Sequence, residues 1–278
     1  MKRVSPHGAF TLVEMLVVIA IIGIITAITI PTIHGLKAGD VLLTGSRQLL
    51  DDVARARQTA ISQRTTVYMV FCPSNFWSDP GYAGFANPAG PALPLAEKNK
   101  AARLLDKQVN AYNFVTLRSV GDQPGQNTAR YLSTWRSMPE GAIIAPFKFN
   151  PRNFVTTVYD PPRPLSPPET NHWDVAGFEV TYEVPFPSED APIYKAAAKY
   201  VPMPYIAFNH LGQLVSGRDE YIPLAKGNVS YAMNADKIAQ QANPALRENP
   251  SGNSTNAFML VHIDWLTGRA NIERQGVR

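Results

Sequence analysis

The sequence predicts an α+β fold, in which a long N-terminal α-helix packs on an antiparallel β-sheet domain. Three observations predict it: an apolar run over residues 10–33, a helix-like pattern that continues to about residue 64, and strand-like segments in much of the remainder. The chain has 278 residues, which is enough to bury a substantial core.

The run from Phe10 to Ile33 contains one charged side chain, Glu14. At about 1.5 Å per residue a helix of this run would be roughly 36 Å long, more than a hydrocarbon core of about 30 Å. Lys2 and Arg3 precede the run, so the positive-inside rule predicts a cytoplasmic N-terminus and an exported remainder. Small residues lie before the run, and no good signal-peptide cleavage site follows it. We therefore expect a retained transmembrane helix.

Glu14 needs a partner in such a helix, because a carboxylate inside a bilayer costs several kcal/mol. A cut between Ala9 and Phe10 would create an α-amine on Phe10, four residues before the carboxylate. Within one helix the two groups would pair weakly, whereas staggered neighbouring molecules would bring them together at close range. At an effective dielectric of about 20 and about 4 Å, that contact contributes roughly 4 kcal/mol before desolvation is subtracted.

The stretch "AFTLVEMLVVIAIIGIITAITIP" resembles the N-terminus of type IV pilin-like proteins, both prepilins and pseudopilins. It has their short basic leader, a small residue at the cut, F-T-L-x-E and about twenty apolar residues. The resemblance implies that a membrane peptidase cuts after Ala9 and methylates Phe10, that Glu14 engages the amine of a neighbouring subunit, and that Pro31 loosens the helix. Glycine usually precedes the cut, but a cut after Gly8 would make Glu14 the sixth mature residue instead of the fifth.

Beyond the apolar run the pattern remains helical to about Arg64, with one apolar stripe formed by Leu42, Leu49, Val53, Ala56 and Ala60. We expect this stripe to pack on the domain that follows; contact with a partner helix is the alternative. The intervening positions predict a solvated face, made of Arg47, Gln48, Asp51, Asp52, Arg55, Arg57 and Gln58.

The segment from Arg64 to Pro73 is predicted to be a strand. The helix-to-strand passage "LLDDVARARQTAISQRTTVYMVFCP" resembles that of the H-type minor pseudopilins of type II secretion. A short helix is predicted over about 97–109, and proline-rich loops over 75–94 and 161–168. Further strands are predicted within 112–120, 178–184, 204–215, 220–225 and 256–274. Turns at Gly212 and Gly268 interrupt two of these segments, which resemble the closing sheet of the H-type domain.

Together these features predict four regions. Residues 1–9 form a leader, and residues 10–33 form the transmembrane and assembly helix. Residues 34–64 continue the helix outside the membrane. Residues 65–278 form a globular, β-rich, pseudopilin-like domain with proline-rich insertions.

No motif for catalysis or for a cofactor is present, and the five histidines and Cys72 show no metal-ligand spacing. We therefore expect no enzyme activity, no cofactor and no metal. A single cysteine precludes an internal disulfide and does not indicate the redox compartment. His210 precedes Leu211–Gly212 and is interpreted as a turn residue.

The formal net charge of +4 is too small to indicate a nucleic-acid-binding protein. Three arginines in the last ten residues nevertheless leave an alternative open, in which Arg269, Arg274 and Arg278 contact DNA phosphates. Glu273 lies among them and no aromatic residue is interleaved, so nucleic acid is not the expected partner.

The resemblance implies a minor subunit of a type II secretion pseudopilus or of a type IV pilus-like filament. Its partners would be the prepilin peptidase and methyltransferase, other pilin or pseudopilin subunits, an inner-membrane assembly platform and membrane lipid. It would cross the bacterial inner membrane once, with its C-terminal domain in the periplasm, before it joins the filament. The alternatives are a DNA-binding minor pilin for DNA uptake and an anchored periplasmic protein of another role.

Overall fold

A computed structural model describes residues 12–78, 102–118, 121–123, 128–160, 171–181, 183–186, 199–200 and 202–274. For residues 26–40, 160, 171, 185–186, 199–200 and 274 it describes the backbone alone. The chain divides into two compact units, residues 1–40 and residues 41–278. The α+β class is confirmed, since an N-terminal helix is combined with antiparallel sheets.

The N-terminal helix α1 comprises Leu12–Gln63 and continues through Pro31. It ends where Arg64 adopts a left-handed backbone conformation with φ of 51° and the Thr65 amide bonds back to the Ala60 carbonyl, at 3.2 Å between N and O. Over the residues that the structure describes, no helix carries an apolar stretch long enough to cross a membrane. Of the predicted transmembrane segment, residue 10, residue 11 and the side chains of residues 26–33 lie outside the described part, and the four predicted regions remain predictions.

Fifteen strands are found in the described residues. They are β1 (Val67–Phe71), β2 (Ala111–Thr116), β3 (Arg130–Tyr131), β4 (Arg136–Ser137), β5 (Ala142–Ile144), β6 (Val155–Asp160), β7 (Asn171–Ala176), β8 (Glu179–Thr181), β9 (Pro185–Phe186), β10 (Lys199–Tyr200), β11 (Met203–Phe208), β12 (Glu220–Ser230), β13 (Ala245–Glu248), β14 (Met259–Ile263) and β15 (Ala270–Arg274). The other helical pieces are Phe76–Ser78, Pro146–Phe149 and Asn253–Asn256.

The strands form two main sheets where the sequence predicted one. The first has six strands in the order β3-β2-β1-β11-β8, with β4 also paired to β2. The second has five strands in the order β13-β12-β14-β15, with β5 also paired to β12. Two ribbons, β6-β7 and β9-β10, complete the described strands, and all pairings are antiparallel.

The predicted stripe of α1 is the centre of the main core. Its five members are all buried, and they pack with side chains from both sheets, among them Phe71, Phe208 and Val261. The stripe therefore packs on the domain of its own chain, as predicted. The expectation of a fully solvated opposite face was wrong at Asp52, which is 2 % exposed. Its carboxylate accepts hydrogen bonds from Tyr112 and Arg136, residues that local sequence cannot place beside it.

The first sheet is also covered on its other face, by a second cluster that contains Cys72, Leu104 and Trp135. Burial raises the pKa of the Cys72 thiol well above its ordinary value, which keeps it protonated and unreactive. The predicted helix over 97–109 was wrong for residues 103–109, which form successive turns, whereas residue 102 is helical. Leu105 and Val109 are four residues apart, a helical spacing, but Val109 has a φ of 53° and bonds to Cys72 through its amide, so the segment bends across the sheet. Residues 97–101 lie outside the described part.

The two predicted glycine turns are confirmed. Gly212 and Gly268 have φ of 80° and 62°, and the turns touch, since the Leu214 amide donates to the Trp265 carbonyl at 2.9 Å.

The β6-β7 ribbon was not predicted. It packs through Val158 and Val175 on Phe258 and Leu260. The proline-rich segment 161–168, which joins these two strands, lies outside the described residues, as do residues 79–94 of the other predicted loop.

Candidate assembly segment at the N-terminus

The predicted assembly residues lie at and before the start of α1. Ala9 and Phe10, the predicted cleavage junction, lie outside the described residues. Glu14 is in the first turn of the helix. Pro31 lies inside α1 with its backbone helical, and its side chain is not described, so its predicted role in loosening the helix remains a prediction.

Residues 12–25 form a helix that is apolar on every side and exposed. Eleven large apolar side chains are between 47 % and 81 % exposed: Leu12, Val13, Met15, Leu16, Val17, Val18, Ile19, Ile21, Ile22, Ile24 and Ile25. A helix that is apolar all round is normally buried in protein or in lipid. Burying such a side chain contributes roughly 1.5–3 kcal/mol, so this surface has a strong drive to associate.

Glu14 is the single charged side chain of residues 12–25. Its position in the first turn suits a carboxylate, because the amide groups that have no intrahelical partner give a helix N-terminus a partial positive charge. Phe10 precedes it by four residues, about one turn of helix. An α-amine created at Phe10 and the Glu14 carboxylate would therefore be the two charged groups at the beginning of an otherwise apolar segment.

The C-terminal arginines are described only in part, and the side chain of Arg274 is outside the description. Arg269 is exposed and precedes β15, and Arg274 is the last residue of that strand. The two arginines are five positions apart, which corresponds to roughly 17 Å along an extended chain. Arg278 lies outside the described residues. The DNA-contact alternative remains an untested prediction.

Two clusters of charged residues were missed by the sequence analysis. Lys148 is fully buried and contacts the Glu220 carboxylate, which also accepts a hydrogen bond from Arg152, at 2.7 Å between Nη1 and Oε2. Burial lowers the pKa of Lys148, and Glu220 opposes that shift. The other cluster surrounds Asp52. Charged residues usually lie at the surface, so no local signal distinguished these.

A histidine between two carboxylates was missed as well. The Nε2 atom of His262 lies 3.0 Å from Asp219 Oδ2, and its Nδ1 atom lies 2.7 Å from Glu273 Oε1. The ring stacks on Tyr221, with 4.7 Å between centroids. In the part of the chain that the structure describes, no group of three or more His, Cys, Asp or Glu side chains is placed to hold a metal ion.

Comparison with known proteins identifies the N-terminal segment. Residues 5–30 match the model of the prokaryotic N-terminal methylation motif. No curated protein matches the chain, and no solved structure matches it. The matched residues include Ala9, Phe10 and Glu14, whereas the resemblance of the later chain to H-type pseudopilins remains a prediction. The N-terminal segment of this protein thus carries the prokaryotic N-terminal methylation motif, which is consistent with a prepilin-type segment like that of type IV pilin-like proteins.

Proposed function

We propose that the chain is a prepilin-type precursor that matures into a membrane-anchored, pilin-like filament subunit. In this proposal a prepilin peptidase cuts between Ala9 and Phe10, and the new Phe10 amine is methylated. The observation that carries the proposal is the match of residues 5–30 to the prokaryotic N-terminal methylation motif. It covers the second half of the leader, the cleavage junction and most of the apolar segment, while Lys2 and Arg3 precede it.

Assembly would depend on Glu14. The exposed apolar surface of residues 12–25 favours transfer into lipid or into a bundle of like helices, and the carboxylate opposes that transfer. When the Phe10 amine of a neighbouring subunit faces Glu14, each charge offsets the burial of the other. Removing one partner would leave a buried charge without compensation, which is strongly destabilising.

The resemblance favours a minor subunit of a type II secretion pseudopilus or of a type IV pilus-like filament. The arrangement of an N-terminal helix whose second half is built into a β-rich unit supports a pilin-like role for the domain. Lys2 and Arg3 favour a cytoplasmic N-terminus and a periplasmic C-terminal unit. Other pilin or pseudopilin subunits and an inner-membrane assembly platform are the partners that this role requires.

Intact-mass measurement of the chain expressed with a prepilin peptidase tests the maturation step. We expect a mature chain that begins at Phe10 and carries one additional methyl group. Ala9→Leu should retain the leader, because a bulky residue replaces the small one at the cut, while Thr11→Ser is a control that keeps the junction small and should be processed normally. A chain that retains Met1 in the presence of active peptidase, or one that begins at Ala9, would overturn the proposed cut.

A further inference from the structure

A polar groove lies between the second half of α1 and the edge of the first sheet. Its volume is about 400 Å³, and one wall is formed by Arg55, Thr59 and Gln63. These residues are spaced four apart and therefore share one face of the helix. The opposite wall is formed by β2 and by β3, which is the edge strand of this sheet among the described strands.

Two guanidinium groups line this groove, and among the described residues neither has a carboxylate partner. Arg55 and Arg130 are both exposed, and neither is within ion-pair distance of an acidic side chain in the described residues. Two other arginines of the same unit do have carboxylate partners: Arg136 pairs with Asp52, and Arg152 pairs with Glu220. The groove therefore has an uncompensated positive charge on both of its walls.

The position of Arg55 is restrained by an aromatic ring. Its guanidinium carbon lies 6.0 Å from the centroid of the Phe114 ring, within the range of a cation–π contact. Such a contact leaves the edge of the planar guanidinium free to donate hydrogen bonds. Arg130 is anchored through its backbone, since it pairs with Thr116 in the β2-β3 ladder.

The two threonine hydroxyl groups of the groove already donate within the protein. Thr59 Oγ1 donates to the Arg55 carbonyl and Thr116 Oγ1 donates to the Arg118 carbonyl, both at 2.8 Å. The donors that remain for a ligand are the two guanidinium groups and the Gln63 amide, so the groove suits a ligand rich in acceptors. Val67, Phe114 and Leu132 add an apolar surface for the carbon atoms of the ligand.

We propose that this groove binds a small oxyanionic ligand, one that bears a phosphate or a carboxylate group. Arginine recognises both groups through paired N–H donors, and such charge-assisted hydrogen bonds are stronger than neutral ones. The volume of the groove fits a small molecule. This binding site is separate from the N-terminal segment and does not depend on the proposed assembly role.

Thermal unfolding of the full chain in a non-ionic detergent tests the proposal. Sodium phosphate and sodium malonate are compared with sodium chloride at equal ionic strength, so that a specific effect is separated from screening. We expect at least one of the two oxyanions to raise Tm above its value in chloride. A response to phosphate alone assigns a phosphate-bearing ligand, a response to malonate alone assigns a carboxylate-bearing one, and equal responses support a site that accepts either.

Substitutions then locate the effect. Arg55→Gln and Arg130→Gln should each weaken the apparent affinity by about tenfold or more, since each removes a charge-assisted contact. Arg130→Lys keeps the charge but loses the paired donors. Its apparent affinity should therefore lie between those of the parent chain and Arg130→Gln. Arg47→Gln, an exposed arginine of α1 outside the groove, is the matched control and should bind as the parent chain does. Equal Tm values in all three salts, or full binding after both arginines are replaced, would overturn the proposal.

Discussion

Tyr112 of β2 donates its phenolic hydrogen to Asp52 of α1, with 2.5 Å between Oη and Oδ2. Arg136 of β4 donates to the other oxygen of the same carboxylate, at 2.7 Å between Nη1 and Oδ1. Asp52 is 2 % exposed, so its charge is compensated inside the protein. The contact joins the second half of α1 to two strands of the first sheet and supplements the apolar stripe that buries the same part of the helix.

Alkaline pH should destabilise this unit through its buried phenols. Burial, followed by the hydrogen bond to Asp52, raises the pKa of Tyr112 well above its ordinary value, and burial does the same for Tyr131. Between the ordinary pKa of about 10 and the raised one, the folded chain binds more protons than the unfolded chain. The free energy of unfolding should therefore fall as the pH rises above about 10, by up to roughly 1.4 kcal/mol per pH unit for each buried phenol.

Tyr112→Phe isolates one part of this effect. The variant should lose about 1.5–3 kcal/mol at pH 7, the contribution of a hydrogen bond to a charged group, and should show a shallower decline above pH 10. Gln48→Ala is the control, because it removes the amide that donates to the Tyr112 oxygen and to the Ser137 carbonyl and leaves the phenol in place. Urea unfolding at pH 7 and across pH 9–11 gives both quantities. An unchanged alkaline slope in Tyr112→Phe would refute the assignment.

The buried contact between Lys148 and Glu220 predicts an asymmetry between single variants. Glu220→Gln would leave Lys148 and Arg152 without their shared counterion and should cost roughly 3–5 kcal/mol. Lys148→Met removes the cation whose burial is costly while Glu220 keeps Arg152, so it should cost less. The double variant should cost less than the sum of the two, because its members share one network. Strictly additive losses of unfolding free energy would show that the two side chains are not coupled.

The contact between the Gly212 and Gly268 turns predicts that alanine is poorly tolerated at Gly268. A Cβ atom there would lie 1.9 Å from the Gly212 carbonyl oxygen, and the backbone has φ of 62°. Gly217 is the matched control, with φ of 67° and no atom within 4 Å of the added Cβ. Gly217→Ala should cost about 1–2 kcal/mol from backbone conformation alone. Gly268→Ala should cost at least about 2 kcal/mol more, because the turns must separate, and equal losses in urea unfolding would contradict this packing.

Periodic and local features of this chain could be predicted from its sequence. The spacing of Leu49, Val53, Ala56 and Ala60 predicted a buried helical face, and glycine within strand-like segments predicted the turns at Gly212 and Gly268. Both features depend on residues close together in the chain. The α+β class followed from the same patterns.

Features that depend on distant residues could not be predicted. Asp52 lies on the polar side of the helix pattern, and its burial depends on Tyr112 and Arg136, 60 and 84 residues away. The division into two sheets depends on pairings such as that of the three-residue strand β5 with β12, too short to leave a pattern in the sequence. At the N-terminus the motif is specific enough to suggest roles for Ala9, Phe10 and Glu14, but the role proposed for Glu14 would lie between molecules.

Incorporation of Glu14 variants into filaments tests the proposed assembly role most directly. The wild-type chain, Glu14→Ala and Glu14→Gln are each co-expressed with the cognate assembly machinery, and the fraction of chain recovered in sheared filaments is compared. Glu140→Gln, which removes an exposed carboxylate of the second unit, is the matched control. Membrane fractionation and intact mass establish that each variant is inserted and cut. We predict that both Glu14 variants remain inserted and processed but fail to enter filaments, while Glu140→Gln enters them normally. Filament incorporation of both Glu14 variants at the wild-type level would contradict the role of Glu14 as the partner of the Phe10 amine.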